Sequence, residues 1–298
     1  MITSRDNARL KRARALQTAK GRRLAGEVLL EGCRLIEAAW DAQASFREVF
    51  YCPARLTPRA QSLLHRLEAA GVPCEAVAEA AFRTVAETVT PQGVVAVVSR
   101  PQATWADLAG KGPAPPLVVA VEDLADPGNL GTLLRTAWAA GCTGVVLLGR
   151  TVDVAQAKVL RAAQGAWFAL PVIEGRPEEL IAWARSCGAR LIASRADARQ
   201  TLYETDLRPA TVLLVGSEAH GLRPEWEAVV EATIRIPMQP GAESLNAAVA
   251  AAVLLFEAVR QREYRSIHPE KSLKVGKERV GRGGRSRERR PSTGSLLR

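Results

Sequence analysis

The 298-residue sequence has few of the residues that build disulfide frameworks or metal centres. Its five cysteines are scattered and never form a CxxC pair, which argues against both a disulfide framework and a structural zinc site. The three histidines lie far apart in the sequence, so we expect no metal ion. No apolar run reaches the ~20 residues of a membrane-spanning helix, and no secretory signal is apparent at the N-terminus. We therefore expect a cytoplasmic protein.

The net charge of +10 is concentrated at the two ends of the chain. Residues 1–23 carry eight Lys or Arg against one Asp, and residues 266–298 carry ten against three Glu. Each end therefore has a net charge of +7, which leaves −4 for residues 24–265. Basic ends of this kind favour a polyanionic partner through counterion release. The alternative is a charge run that only keeps the protein in solution.

Alternating strand and helix patterns divide the chain into two predicted α/β domains. Residues 1–108 form the first, and the proline- and glycine-rich residues 109–116 are predicted as a linker because they cannot sustain a helix or central strand. Residues 117–265 form the second domain, whose aliphatic runs are typical of parallel strands covered on both faces. Residues 266–298, poor in apolar side chains, are predicted to be a disordered basic tail.

Strands and helices alternate in both predicted domains. In the first, a single helix is predicted over residues 7–20 and another over 33–41. In the second, five short strands and five helices are expected. The strands are predicted at 117–121, 145–148, 191–193, 212–215 and 233–236, and the helices at 130–140, 154–163, 178–186, 224–230 and 246–264.

Three polar loops in the second domain contain the candidate functional residues. Asp126–Gly131, with Arg135 shortly after it, and Gly216–Leu222 each follow an aliphatic run, and Pro237–Asn246 runs into a long apolar helix. Because parallel strands end at the same edge of a sheet, three such loops predict one composite site at the carboxyl ends of neighbouring strands.

Each loop residue also has a purely structural interpretation. Asn129 could cap a helix, and Arg135 could form a surface salt bridge rather than clamp a phosphate. Ser244 and Asn246 could cap the following helix instead of contacting a cofactor or ribose. The second loop is neither a dinucleotide fingerprint nor a phosphate-binding loop. It also lacks the G-x-S-x-G pattern of a serine hydrolase.

In this order and at this spacing, the three loops resemble the motifs of the SpoU (TrmH-like) family of RNA ribose 2′-O-methyltransferases. The matching segments are Asn129-Leu130-Gly131 with Arg135, Gly216-Ser217-Glu218, Ile236-Pro237-Met238 and Ser244-Leu245-Asn246. Residues 3–36 resemble the L30e-like substrate-binding domain of many members. The resemblance implies a C-terminal α/β knot (a deep trefoil of the SPOUT superfamily with a mostly parallel sheet) and a smaller L30e-like α/β domain. It also implies S-adenosylmethionine as cofactor and a homodimer whose active site spans both copies.

Carried over position by position, the resemblance assigns roles to residues of this sequence. The catalytic and ribose-binding set is implied to be Asn129, Arg135, Glu218, Ser244 and Asn246. The cofactor-binding set is implied to be Gly216, Ile236 and Leu245. RNA-binding residues are predicted in the basic first segment and are Arg5, Asn7, Arg9, Lys11, Arg22, Arg23 and Arg34.

The function implied is 2′-O-methylation of a ribose in structured RNA, with 23S ribosomal RNA favoured and either a housekeeping or an antibiotic-resistance role. Arg135 is expected to engage a phosphate beside the target and to polarise or help deprotonate the 2′-hydroxyl. Asn129 and Asn246 would orient ribose and loop, and Glu218 would hold Arg135 or the third loop. The alternatives are a tRNA ribose methyltransferase and a catalytically inactive RNA-binding or ribosome-assembly protein.

Overall fold

Two separate β-sheets organise the part of the chain that the structure describes. The computed structural model describes residues 1–217 and 220–267, with side chains up to residue 263. Glu218 and nearly all of the tail predicted at residues 266–298 lie outside the described residues. Within the described ranges, no helix is long and apolar enough to cross a membrane.

The first sheet has four strands in the order β1-β4-β2-β3. Strand β4 runs antiparallel to both β1 and β2, whereas β2 and β3 are parallel. The strands are β1 Glu27–Glu31, β2 Phe46–Tyr51, β3 Cys74–Ala76 and β4 Val94–Ser99. The helices around them are α1 Ala8–Ala15, α2 Ala19–Ala25, α3 Cys33–Asp41, α4 Pro58–Ala69 and α5 Glu79–Phe82.

The single helix predicted over residues 7–20 is wrong, because the structure has two helices there. Helix α1 ends at Ala15, and Thr18 starts α2 by accepting a hydrogen bond from the Gly21 amide at 3.0 Å. A threonine oxygen at this position satisfies an amide that has no partner within the helix. After the break, α2 lies close enough to the second sheet for Arg22 to pair with Asp153.

Within the described residues, the second sheet has seven parallel strands in the order β7-β6-β5-β10-β8-β11-β9. Its strands are β5 Leu117–Glu122, β6 Gly144–Leu148, β7 Val172–Glu174, β8 Arg190–Ser194, β9 Gln200–Thr201, β10 Thr211–Val215 and β11 Ala232–Arg235. Its helices are α6 Pro127–Ala139, α7 Ala157–Ala163, α8 Ala166–Ala169, α9 Pro177–Cys187 and α10 Ala247–Ile267. Strands β7 and β9 were not predicted, and residues 224–228 form a 3₁₀ helix where an α-helix was expected.

The second sheet is covered on both faces. Every residue of β5, β6 and β10 is buried, and alternate side chains enter two different apolar clusters. Strands β5 and β10 are neighbours, yet the chain visits β6 to β9 between them, so the strand order reverses at this point. Open α/β sheets bind ligands outside the carboxyl ends of the strands at such a reversal.

The two sheets are held together by charge pairing and close backbone packing. Arg22 of α2 donates to Asp153, beyond β6, at 2.7 Å. A Cβ on Gly165 would lie 2.2 Å from the Ala38 Cβ, so α3 can approach the start of α8 only because residue 165 is a glycine. These contacts place α2 beside the carboxyl edge of the second sheet.

Candidate active site

A pocket of about 340 Å³ opens at the carboxyl ends of β8, β10 and β11. The second and third loops both contribute to its wall, together with the residues that follow β8. The lining includes Ser194, Arg195, Asp197, Gly216, Ser217, His220, Leu222, Ile236, Met238, Ser244, Leu245 and Ala247. All three residues predicted to bind the cofactor, and Ser244 of the predicted catalytic set, therefore surround one cavity.

The second loop owes its shape to a tight backbone turn. The amides of Ser217 and Gly221 donate to each other's carbonyl oxygens, at 3.2 and 2.9 Å respectively. A Cβ at Gly216 would lie 2.1 Å from the Gly221 carbonyl carbon, so no other residue fits position 216 without moving the turn. His220 belongs to this turn, and its amide donates to the Ser217 hydroxyl at 3.2 Å.

The first and third loops are joined by two asparagines. The Asn246 Nδ2 donates to the Asn129 Oδ1 at 3.0 Å. Asn246 also starts α10, because its Oδ1 accepts from the amides of Ala248 and Val249 at 3.0 and 3.3 Å. The capping and functional interpretations of Asn246 are thus compatible. Asn129 is not a cap, since Asp126 caps α6 and accepts from the Asn129 amide at 2.8 Å.

A buried carboxylate at the end of β5 anchors the far side of the second loop. Glu122 is 1% exposed and accepts from the amide, Nε and Nη2 of Arg223 at 3.0, 2.7 and 2.5 Å. It also accepts from the Trp226 indole nitrogen at 3.0 Å. Sequence reasoning missed this network, although a glutamate that ends an aliphatic strand was a signal that could have suggested it.

Arg135 lies on the exposed side of α6 and is not among the described residues that line the pocket of its own chain. Within the described residues its guanidinium makes no hydrogen bond or ion pair. The structure therefore joins Asn129 to the third loop but leaves Arg135 apart from the cavity. Glu218 lies outside the described residues, and its role stays a prediction.

Three of the predicted RNA-binding residues lie on or beside α1 with partners inside the protein. Asn7 caps α1 by accepting from the Arg9 amide at 2.9 Å. Arg9 donates to Glu48 and Glu75 at 2.8 and 3.0 Å, and Lys11 pairs with Asp6 at 3.2 Å. These contacts give Asn7 and Arg9 structural roles in the first sheet.

The other four differ sharply in exposure. Arg22 is 4% exposed and, besides Asp153, donates to the carbonyl oxygens of Leu16 and Gln17 at 3.0 and 3.1 Å. Arg5, Arg23 and Arg34 are exposed, and none has a carboxylate partner among the described residues. Arg22 is therefore enclosed by protein, whereas its neighbour Arg23 is open to a ligand.

Comparison with known proteins matches both halves of the chain. The SpoU rRNA Methylase family matches residues 116–256, and the MRM3-like substrate binding domain matches residues 7–96. The chain is 32% identical to the 23S rRNA (guanosine(2553)-2′-O)-methyltransferase RlmP of Bacillus subtilis, over 86% of this chain and 97% of that protein.

The chain belongs to the SpoU rRNA methylase family. It is also 34% identical to a 23S rRNA (uridine(2479)-2′-O)-methyltransferase of Streptomyces viridochromogenes, over 88% of this chain and 92% of that protein. The crystal structure of the SpoU methyltransferase AviRb from the same organism, in complex with AdoMet, superposes with a TM-score of 0.78. That match has 32% identity and covers 86% of this chain and 98% of the other. The predicted family and α/β fold class are confirmed, while the knot stays a prediction from the resemblance.

Proposed function

We propose that this chain transfers the methyl group of S-adenosylmethionine to a ribose 2′-hydroxyl of 23S ribosomal RNA in the cytoplasm. The observation that carries the proposal is the meeting of the three loops. Gly216, Ile236 and Leu245 line one pocket, and Asn246, at the edge of that pocket, is bonded to Asn129. The 23S rRNA named for the relatives from Bacillus subtilis and Streptomyces viridochromogenes supports the choice of substrate.

The pocket suits a methyl donor that carries an adenine ring. Leu222, Ile236 and Leu245 offer apolar surfaces that can flank a planar base, and the Gly216–Gly221 turn leaves backbone close to the cavity. Bound S-adenosylmethionine supplies a methyl group attached to a sulfonium. When the 2′-oxygen takes the methyl group, the carbon–sulfur bond breaks and the sulfur leaves as a neutral thioether. The residues of this chain must then orient the ribose and remove its proton.

Orientation and proton removal have different candidate residues. Fixing two reactants in place contributes roughly 7–11 kcal/mol in all, and we propose that the Asn129–Asn246 pair at the edge of the pocket supplies part of it. A positioned acid or base contributes about 10²–10⁴-fold. Arg135 is proposed to bind the phosphate beside the target and to polarise the 2′-hydroxyl, because its guanidinium stays charged. The hydroxyl proton then passes to solvent water as the methyl group arrives. Glu218 is proposed to hold Arg135 or the third loop.

In a homodimer, Arg135 of one copy could lie at the pocket of the other copy, because Arg135 does not line the pocket of its own chain. Large apolar side chains are exposed on the two helices that begin at the asparagine pair. Trp138 of α6 is 48% exposed, and Val249 and Phe256 of α10 are 48% and 51% exposed. Exposed apolar side chains on neighbouring helices are typical of subunit interfaces. We therefore propose that α6 and α10 pack against a second copy, whose Arg135 completes the site.

The function is tested by incubating the full-length protein with labelled S-adenosylmethionine and either total rRNA or total tRNA, followed by nucleoside mass spectrometry. We expect one 2′-O-methylnucleoside in 23S rRNA. Label in tRNA alone would contradict the substrate, and label on a base would contradict the reaction.

Arg135→Ala is expected to lower turnover by about 10²–10⁴-fold with unchanged cofactor affinity. Near-normal turnover of that variant would contradict the role given to Arg135.

A further inference from the structure

A second cleft of about 580 Å³ opens between helix α2 and the ends of β6 and β7, and we name it the α2 cleft. Ala19 and Arg23 form one wall. Gly149 and Thr151, after β6, and Gly175 and Arg176, after β7, contribute to the opposite wall. Both sheets of the protein therefore shape this cleft.

Among the described residues, three arginines and three carboxylates line the α2 cleft. Its three acidic residues each have an arginine of their own: Asp153 pairs with Arg22, Glu174 with Arg100 and Glu179 with Arg176, at 2.7, 2.5 and 3.0 Å. Arg23 is the one lining arginine without a carboxylate partner among the described residues, because Asp153 is paired with Arg22, which does not line the cleft. Its guanidinium thus faces the cleft as uncompensated positive charge.

Two further arginines add capacity for an anion at the same place. Arg176 is 75% exposed, and its partner Glu179 also caps α9 by accepting from the Arg176 amide at 2.9 Å. The hydrogen bond from the Arg176 backbone amide holds the Glu179 carboxylate in position. The Arg176 side chain can therefore leave Glu179 and bind a ligand without loss of the helix cap. The Arg100 guanidinium lies over the Trp167 ring, 5.7 Å from its centroid, at the wall of the cleft.

The α2 cleft lies on the same edge of the sheet as the proposed methyl-transfer site. Strands β5, β6 and β7 are consecutive neighbours, and the first loop follows β5. Because neighbouring strands are about 4.8 Å apart, the ends of β6 and β7 lie roughly 5 and 10 Å along the edge from the end of β5. A cleft at these strand ends could therefore be reached by the nucleotides that flank a ribose held at the first loop.

We propose that the α2 cleft binds the phosphodiester backbone of RNA immediately next to the methylated nucleotide, with Arg23 and Arg176 as the phosphate ligands. The proposal rests on the proposed function, because it assumes an RNA whose target ribose lies at Asn129. Guanidinium groups bind phosphate oxygens with charge-assisted, often bidentate hydrogen bonds. Such contacts position the RNA without reading its sequence.

The test compares three full-length variants that each remove one arginine: Arg23→Ala, Arg176→Ala and Arg185→Ala. Arg185 is the matched control because it is exposed near the C-terminal end of α9, away from the carboxyl edge, and has no ion pair among the described residues. Binding to an unmodified 23S rRNA transcript is measured from ~50 to ~200 mM salt. Methyl transfer to the same transcript is measured in parallel.

We expect Arg23→Ala and Arg176→Ala each to weaken RNA binding by several-fold and to lower the slope of log Kd against log salt by about one. Their KM for RNA should rise while kcat and cofactor affinity stay the same. Arg185→Ala should match the wild type. The inference fails if Arg23→Ala binds like the wild type, or if Arg185→Ala loses as much as the other two. If the wild type bound the transcript without methylating it, the proposed function would be contradicted instead. The salt dependence of RNA binding by the variants would still test whether the α2 cleft binds RNA.

Discussion

The cofactor pocket and the α2 cleft lie on one edge of one sheet, yet different kinds of interaction shape them. The pocket is shaped by backbone turns and apolar side chains, with Gly216 at its tightest point. The α2 cleft is shaped by arginine–carboxylate pairs that connect distant parts of the chain. We infer that the first site depends on exact backbone geometry and the second on charge, so substitutions should separate the two.

The largest expected effect concerns the neighbouring residues Arg22 and Arg23. Arg22→Ala leaves Asp153 and the carbonyl oxygens of Leu16 and Gln17 without their buried donor. Breaking a buried pair in this way costs about 3–5 kcal/mol. Arg23→Ala removes an exposed side chain and should change the free energy of unfolding by less than about 0.5 kcal/mol. Urea denaturation of both variants measures the difference.

Each of the two substitutions removes one positive charge at the α2 cleft, but only Arg23→Ala removes a proposed phosphate ligand. At a temperature where both variants are folded, Arg23→Ala should therefore bind 23S rRNA less tightly than Arg22→Ala. If Arg22→Ala proved as stable as the wild type, the charge pairs would not hold the cleft together, and the contrast drawn between the two sites would be wrong.

The next effect concerns the backbone of the pocket. Gly216→Ala places a Cβ against the Gly221 backbone at 2.1 Å, so the turn must move. We expect affinity for S-adenosylmethionine to fall by at least about tenfold, or ~1.4 kcal/mol. Gly112→Ala is the control, because a Cβ there meets no atom within 4 Å. Isothermal titration of both variants with the cofactor tests this, and equal affinities would show that the turn does not shape the pocket.

A smaller effect is expected at Asn246, which combines two functions. Asn246→Ala removes the cap of α10 and should destabilise the protein by about 1 kcal/mol. It also removes the bond to Asn129 and should slow methyl transfer. Asn246→Ser separates these functions, because serine can cap the helix but is too short to reach Asn129. Restored stability with slow transfer is expected, whereas recovery of both would exclude a catalytic need for the asparagine pair.

The contrast between the two sites also explains what the sequence predicted. Strands β5 and β10 were predicted to within one residue at each end, because burial on both faces requires an unbroken aliphatic run. Strands β7 and β9 have three and two residues, too few for any periodic pattern, and depend on pairing with β6 and β11. The gathering of the second and third loops at the carboxyl edge was predicted because each loop follows an aliphatic strand, whereas the roles of their residues stay a prediction from the resemblance.

The α2 cleft could not be predicted in the same way. Arg22 and Arg23 are adjacent and chemically identical, and only the fold places one of them against Asp153, 131 positions away. The predicted RNA-binding set treated them alike for this reason. Glu122 shows the same limit, because its partner Arg223 is 101 positions distant. Long-range charge pairs leave no local pattern in a single sequence.

The smallest expected effect is a pH dependence of the charge pair that joins the two sheets. Burial by itself raises the pKa of Asp153, but hydrogen bonds from Arg22 and the Ala155 amide, with the charges of Arg22 and Arg100, outweigh it and leave the pKa below its usual value. A carboxyl whose pKa is lowered by folding contributes stability above its unfolded pKa of about 3.9. That contribution is lost as the pH falls through the lower folded value.

The unfolding free energy of the wild type should therefore exceed that of Asp153→Asn by a constant amount above about pH 5. The excess should shrink as the pH falls below about 4. Urea denaturation of the two proteins across this range provides the measurement. Arg22→Ala in the same series should lose most of the dependence, because the guanidinium that keeps Asp153 ionised is gone. An excess that persisted unchanged to the acid limit would mean that Asp153 contributes by packing and not by charge, and the α2 cleft would then resemble the pocket.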